Sequence, residues 1–118
     1  MRKLRVIVCD DDEIILDVFH QLFEAMGYDV IVSEGPLTCA FYYDKTTSCP
    51  QGQRCTDILI TDNRMPGMTG IELLELQHNG GCKLTSKNKI LITGMVSVLS
   101  QMLMIQLIDS KEIKLLRW

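Results

Sequence analysis

Two acidic clusters stand at the ends of short apolar runs. Val6-Ile7-Val8-Cys9 leads into Asp10-Asp11-Asp12, and Ile58-Leu59-Ile60-Thr61 leads into Asp62, followed by Asn63-Arg64-Met65-Pro66-Gly67-Met68-Thr69-Gly70. If the two runs are neighbouring parallel strands, their carboxylates meet at one edge of a sheet. Like charges gathered there are unfavourable until a cation or a proton neutralises them. Several carboxylates with no nearby His or Cys form a hard oxygen site. Such a site suits Mg2+ or Mn2+ and leaves positions open for a phosphate oxygen. A carboxylate there can also be the nucleophile, giving an acyl phosphate. Phosphoryl transfer asks for charge neutralisation and in-line placement more than acid–base work. Thr93 offers a hydroxyl for that task, and Lys114 or Lys111 an ammonium.

Each cluster alone has a plainer explanation. Asp12 is placed to cap a helix, where negative charge meets the positive end of the helix dipole. Three aspartates exceed that need. Asp62-Asn-Arg-Met-Pro reads as a turn by composition. Neither explanation accounts for the other cluster.

Positioning these groups falls to an alternation of strands and helices. Residues 4–9 read as a buried strand and 13–26 as an amphipathic helix. Ile15, Val18, Phe19, Leu22, Phe23 and Met26 recur there at helical spacing, and Gly27 stops it. A second strand is expected over 28–32 and a second helix from Gly35-Pro36 to about Asp44. Residues 45–56 are polar and longer than an ordinary αβ connection. The third strand follows at 57–61. Thr69-Gly-Ile-Glu72 forms a capping-box pattern for a helix through about His78. A fourth strand over 89–93, a helix over 97–108 that is apolar on nearly every face, and a fifth strand over 112–116 complete the pattern. Such alternation implies a parallel sheet with helices on both faces. Right-handed crossovers then set every strand's C-terminal end on one edge, where ligands of such sheets bind.

The bulk properties agree with one domain over 1–118. At 47% hydrophobic and 23% charged, the chain has enough apolar surface for a core. A net charge of −3 without a basic stripe argues against direct nucleic-acid binding. The apolar run after Met1-Arg-Lys-Leu-Arg5 is too short for a signal peptide, and 98–108 is too short to span a bilayer. A cytoplasmic protein with no membrane association is expected, its five cysteines mostly reduced.

Taken together, Val-Ile-Val-Cys-Asp10-Asp11-Asp12, Asp57-Ile-Leu-Ile-Thr-Asp62 with Met65-Pro66-Gly67-Met68-Thr-Gly70, and Ile-Leu-Ile-Thr93-Gly94 resemble the response-regulator receiver domain of two-component systems. The resemblance runs from Leu4 to Leu116. It implies a flavodoxin-like, doubly wound, five-stranded parallel sheet of order 2-1-3-4-5, as in the chemotaxis regulators. It implies that Asp62 is the phosphoacceptor, supplied by a histidine kinase or phosphotransfer protein. Asp11 and Asp62 would ligate Mg2+ directly and Asp10 through water, with the Arg64 backbone carbonyl completing the set. Thr93 would bond a phosphoryl oxygen, Gly94 would leave room for it, and Arg64 and Met95 would tune dephosphorylation. The chain would be no enzyme beyond self-catalysed phosphoryl transfer and slow autodephosphorylation.

Three departures from the family stand out. Lys114 is the best match to its conserved lysine, but no proline follows, and Lys111 holds the place of the switch aromatic. No fifth helix follows Leu116, which with the apolar 97–108 segment suggests a homodimer through the fourth helix and fifth strand. The alternative function is a phosphorylation-independent interaction module. Lastly, Cys49, Cys55, Cys82 and His78 lie on loops expected at the opposite edge. They offer a conceivable Cys3His zinc site, or a Cys49–Cys55 redox pair, against a default of inert thiols.

Overall fold

The structure, a computed structural model, describes residues 3–93 and 114–117, with Thr93 and 114–117 described by backbone alone. Its elements are β1 (Arg5–Cys9), α1 (Glu13–Ala25), β2 (Asp29–Ser33), α2 (Ala40–Tyr43), β3 (Ile58–Asp62), α3 (Gly70–Asn79), β4 (Lys89–Thr93) and β5 (Lys114–Arg117), with a 3-10 turn at Ser86–Asn88. The strands form one five-stranded sheet of order β2-β1-β3-β4-β5. Every neighbouring pair is parallel. This is the doubly wound order expected from the sequence, and its switch point lies between β1 and β3.

The apolar runs of β1, β3 and β4 are continuous because both faces of the sheet are covered. On one face Val6, Val8, Ile58, Ile60, Ile90 and Ile92 pack against Leu16, Phe19 and Phe23 of α1. On the other, Ile7, Cys9 and Leu59 pack with Met65 and Leu84, joined by Leu74 of α3. The period of two along each strand does this sorting.

Local chemistry sets the helix ends. Asp12 accepts a hydrogen bond from the Ile14 amide at 2.9 Å, capping α1 as its position predicts. At the other end Gly27 takes φ +90°. There the Tyr28 amide donates to the Phe23 carbonyl and the Gly27 amide to Glu24, both at 3.0 Å. These are the two bonds of a Schellman cap, and the Phe23–Tyr28 ring contact at 5.5 Å supplies its apolar clasp. In α3, Thr69 accepts from the Glu72 amide at 3.1 Å. The Glu72 carboxylate meets Lys45 Nζ at 3.1 Å, tying α3 to the 45–57 connection.

The second helix is a correction to the sequence reading. Only Ala40–Tyr43 is helical. Residues 36–39 make a turn in which the Cys39 amide donates to the Pro36 carbonyl at 3.1 Å. Cys39 is then extended, at φ −106° and ψ 132°, so the turn does not propagate. Thr38 is a weak helix former and Cys39 gives no side-chain cap, so nothing offsets the cost of starting earlier. The fourth helix expected over 97–108 lies outside the described residues.

The 45–57 connection is held at its C-terminal end by a buried carboxylate. Asp57 accepts from the Arg5 amide at 2.7 Å and from Arg54 Nε at 3.0 Å. Its own amide donates to the Arg5 carbonyl at 3.0 Å. Asp57→Ala strips these donors of a charged acceptor in a buried setting. A loss of about 2–3 kcal/mol in urea unfolding is expected, with Asp57→Asn recovering part of it.

Candidate metal centre

The register of the sheet builds the site. Cys9 is paired with Thr61, so the next residues, Asp10 and Asp62, emerge side by side at the β1–β3 switch point. Asp62 is paired with Ile92, so Thr93 stands one residue further along the same edge. Asp11 belongs to the turn between β1 and α1. One carboxylate oxygen from each of Asp10, Asp11 and Asp62 lies within 4.8 Å of the others. Among the described residues this is the group of acidic, His or Cys side chains close enough to share an ion.

Electrostatics fit that purpose. Asp10 is 2% exposed. Burial, opposed by a hydrogen bond from the Asp12 amide and reinforced by the charges of Asp62 and Asp11, pushes its pKa up to about 7. Asp62 is raised as well, chiefly by burial. The backbone amides of Arg64 and Asn63 pull it back down, while Asp11 pushes it up. Two buried carboxylates that resist ionisation beside a third make a poor structural feature. They make a good cage for a divalent cation, since the donors are all oxygen. The residues present therefore fit Mg2+ or Mn2+.

A pH dependence follows. Folded Asp10 holds its proton to about pH 7, whereas its ordinary value in the unfolded chain is 3.8. Its contribution to stability is thus full below about 3.8 and is lost as pH rises to about 7. A divalent cation must displace that proton. Mg2+ affinity, measured by titration calorimetry, is therefore expected to fall about tenfold per pH unit below about 7. Asp10→Asn should flatten this dependence.

The segment after Asp62 is anchored rather than loose. Met65 and Met68 are buried. Gly67 takes φ +81°, as the third position of a type II turn requires, with Pro66 supplying the second. Asn63 Oδ1 accepts from the Ile71 amide at 3.1 Å and the Asn63 carbonyl from the Gly70 amide at 3.1 Å, fastening the strand end to the start of α3. A Cβ on Gly70 would collide with the Asp62 carbonyl oxygen and with Leu91. In the sequence Gly70 stands only as part of a motif; its approach to the backbone of Asp62 has no sequence signal beyond a small residue after a cap.

Other predicted residues fall elsewhere. Arg64 is exposed and turns its amide to Asp62. The backbone register sets Arg117, not Lys114, level with Thr93. Lys114 is level with Ile90, three positions toward the opposite edge. The strand begins at Lys114 instead of ending near it, which shifts the expected lysine away from the carboxylates. The proposed Cys3His set is not assembled. His78 sits in a shallow surface depression with Ile71, Leu74 and Ser86, while Cys55 and Cys82 line a different cavity under α3. The pitch of α3 turns His78 away from the thiols.

Fold and site together define a doubly wound α/β protein with an acidic cation site at its switch point. The response regulator receiver domain family matches residues 6–95, and the chain belongs to that family. It is 36% identical over 72 residues to the Arabidopsis thaliana protein named as two-component response regulator ARR21, a match covering 60% of this chain and 11% of that one. It is 32% identical over 74 residues to the 3',5'-cyclic-nucleotide phosphodiesterase regA of Dictyostelium discoideum, covering 62% and 8%. The chain thus spans about a tenth of the length of these relatives. Among solved structures, a CheY-like receiver domain protein from Methanospirillum hungatei is similar with TM-score 0.58 and 26% identity, covering 90% of this chain and 76% of that one. A receiver domain protein from Bacillus halodurans shares the fold with TM-score 0.63 at 16% identity, covering 98% and 84%.

Proposed function

We propose that this chain is a phosphoacceptor receiver of a two-component phosphorelay. An Asp62 oxygen attacks the phosphorus of a phosphohistidine on a histidine kinase or phosphotransfer protein. The P–N bond breaks, the imidazole leaves, and an acyl phosphate forms on Asp62. Asp10, Asp11 and Asp62, with the Arg64 carbonyl, would hold Mg2+ or Mn2+. The bound cation would supply neutralisation of the charge gathered on the phosphoryl oxygens. Thr93 bonds one of those oxygens. The observation that carries this reading is the convergence of Asp10, Asp11 and Asp62 on one point at the switch edge.

The domain works as a switch and not as an enzyme with a separate substrate. We place it in the cytoplasm without direct nucleic-acid contact; no helix among the described residues is long and apolar enough to cross a membrane. The apolar 97–108 segment and the fifth strand are proposed to pair two copies, and a monomer in light scattering at micromolar concentration would refute that. The test of the main reading is incubation with acetyl phosphate and Mg2+, followed by intact mass. One phosphoryl adduct is expected, lost when EDTA replaces Mg2+. No adduct with any donor would instead support a phosphorylation-independent interaction module.

A further inference from the structure

Away from the acidic edge, four of the five cysteines line one enclosed cavity of about 30 Å³ beneath α3: Cys9, Cys39, Cys55 and Cys82. Gln77, 5% exposed, lines it too. Its Nε2 donates to Cys39 Sγ at 3.6 Å, and its buried Oε1 finds no donor among the described residues. The cavity is otherwise chiefly apolar, walled by Ile7, Leu59, Leu73 and Leu84, so this amide and the four thiols are its chemically distinct groups.

The thiols differ in access and in freedom. Cys9 is 2% exposed within β1, out of reach of a dissolved disulfide. Cys39 is engaged by Gln77. Cys55 is exposed and also opens onto an adjoining surface depression of about 610 Å³ lined by Arg5, Arg54 and Lys83. Cys55 and Cys82 both lie outside helices and strands, where a backbone shift needed for bond geometry is cheapest. Cys82 lines the same cavity as Cys55, whereas Cys49 does not line it. The Cys49–Cys55 pair suggested by sequence proximity is thus not the pair that the fold favours.

We propose that Cys55 and Cys82 form a reversible disulfide, made by exchange with a small anionic disulfide of the glutathione class, that ties the start of β3 to the end of α3. Lys83, together with the outer nitrogens of Arg5 and Arg54, whose Nε atoms already bond Asp29 and Asp57, gives the carboxylates of that disulfide a cationic landing place beside the exposed thiol. The Cys55 thiolate attacks one sulfur of the small disulfide, and one glutathione leaves as thiolate and takes up the proton. The Cys82 thiolate then attacks the Cys55 sulfur and the second glutathione leaves. Two protein thiols are oxidised and one glutathione disulfide is reduced to two thiols. Burial raises the Cys55 thiol above its ordinary value, so exchange is slow at neutral pH and quickens as pH rises. The same lack of thiolate stabilisation makes the finished disulfide hard to reduce.

The test uses the whole chain with glutathione disulfide at alkaline pH, followed by alkylation of free thiols and non-reducing peptide mass spectrometry. A Cys55–Cys82 crosslink is expected, with Tm about 5 °C or more above the reduced form. Cys82→Ser should stop at a glutathione adduct on Cys55, and Cys49→Ser should crosslink as the wild type does. Thermal unfolding of the reduced Ser variants establishes that each is folded. Cys49–Cys55 pairing, a glutathione adduct that persists on the wild type, or two thiols that stay alkylatable would each overturn the proposal.

Discussion

Asp62→Asn is expected to abolish phosphoryl uptake from acetyl phosphate while making the metal-free domain more stable. The two effects share one cause. Asp62 is 8% exposed and stands beside Asp10 and Asp11, so its charge is held against burial and against like charge. The amide oxygen of Asn is a poor nucleophile, and an acyl phosphate cannot form on it. A drop of at least about 10³-fold in adduct formation by intact mass is expected, since the acceptor oxygen itself is lost and Asp10 and Asp11 are assigned to the cation. The neutral amide also relieves repulsion on Asp10, whose pKa should fall toward the ordinary carboxylate range. A gain of about 1 kcal/mol, read as a rise in Tm of about 4 °C or more without Mg2+, is expected. Mg2+ should stabilise the variant less than the wild type, because one charged ligand is gone. Persistent phosphorylation of the variant would place the acceptor elsewhere; lost uptake without a gain in stability would show that the carboxylates are relieved by some other group.

Gly70→Ala should damage both stability and phosphorylation, against the ordinary rule for helices. Replacing Gly by Ala in a helix gains up to about 1 kcal/mol from backbone entropy. Here the new methyl runs into the Asp62 carbonyl oxygen, Leu91 Cδ1 and the Asn63 Cα. Leu91 can rotate, but the carbonyl oxygen belongs to the end of β3 and moves only with the strand. Overpacking against backbone costs about 1–3 kcal/mol, which outweighs the entropic gain. A net loss of about 1–2 kcal/mol in urea unfolding is expected. Phosphoryl uptake should fall about tenfold, since small displacements of a reacting group cost at least that much. Gly52→Ala is the control: a Cβ there meets nothing within 4 Å, so stability should stay within about 0.5 kcal/mol. Equal behaviour of the two variants would remove Gly70 from the positioning of Asp62.

Much of this was legible in the chain, for identifiable reasons. Helical spacing placed α1, a capping-box pattern placed α3, and continuous apolar runs placed β1, β3 and β4, because each signal is fixed by local geometry or by burial of the whole run. The caps at Asp12, Gly27 and Thr69 were legible because capping uses groups two to five residues apart. The second helix was not: whether 36–39 continue into a helix depends on a marginal local balance that a run of apolar residues does not report. The backbone position of Lys114 along β5 was not legible either, for a related reason. Counting residues from Thr93 assumes an intervening length, whereas the register of β5 on β4 is a tertiary choice made by pairing Ile90 with Lys114.

The sequence by itself determined the family, the parallel alternation and the identity of the carboxylates, because residue types at strand ends and turns are constrained locally. Only the tertiary structure decided which groups meet. Asp10 and Asp62, distant in the chain, become neighbours because Cys9 pairs with Thr61. Their raised pKa values exist only once burial acts on both, with the charges of Asp62 and Asp11 added at Asp10 and that of Asp11 at Asp62. Cys55 and Cys82 line one cavity that the nearer-in-sequence Cys49 does not, since α3 and the 45–57 connection enclose it. Distance in space, and the low dielectric created by packing around it, sets charge interaction and thiol proximity, and neither is a property of spacing along the chain.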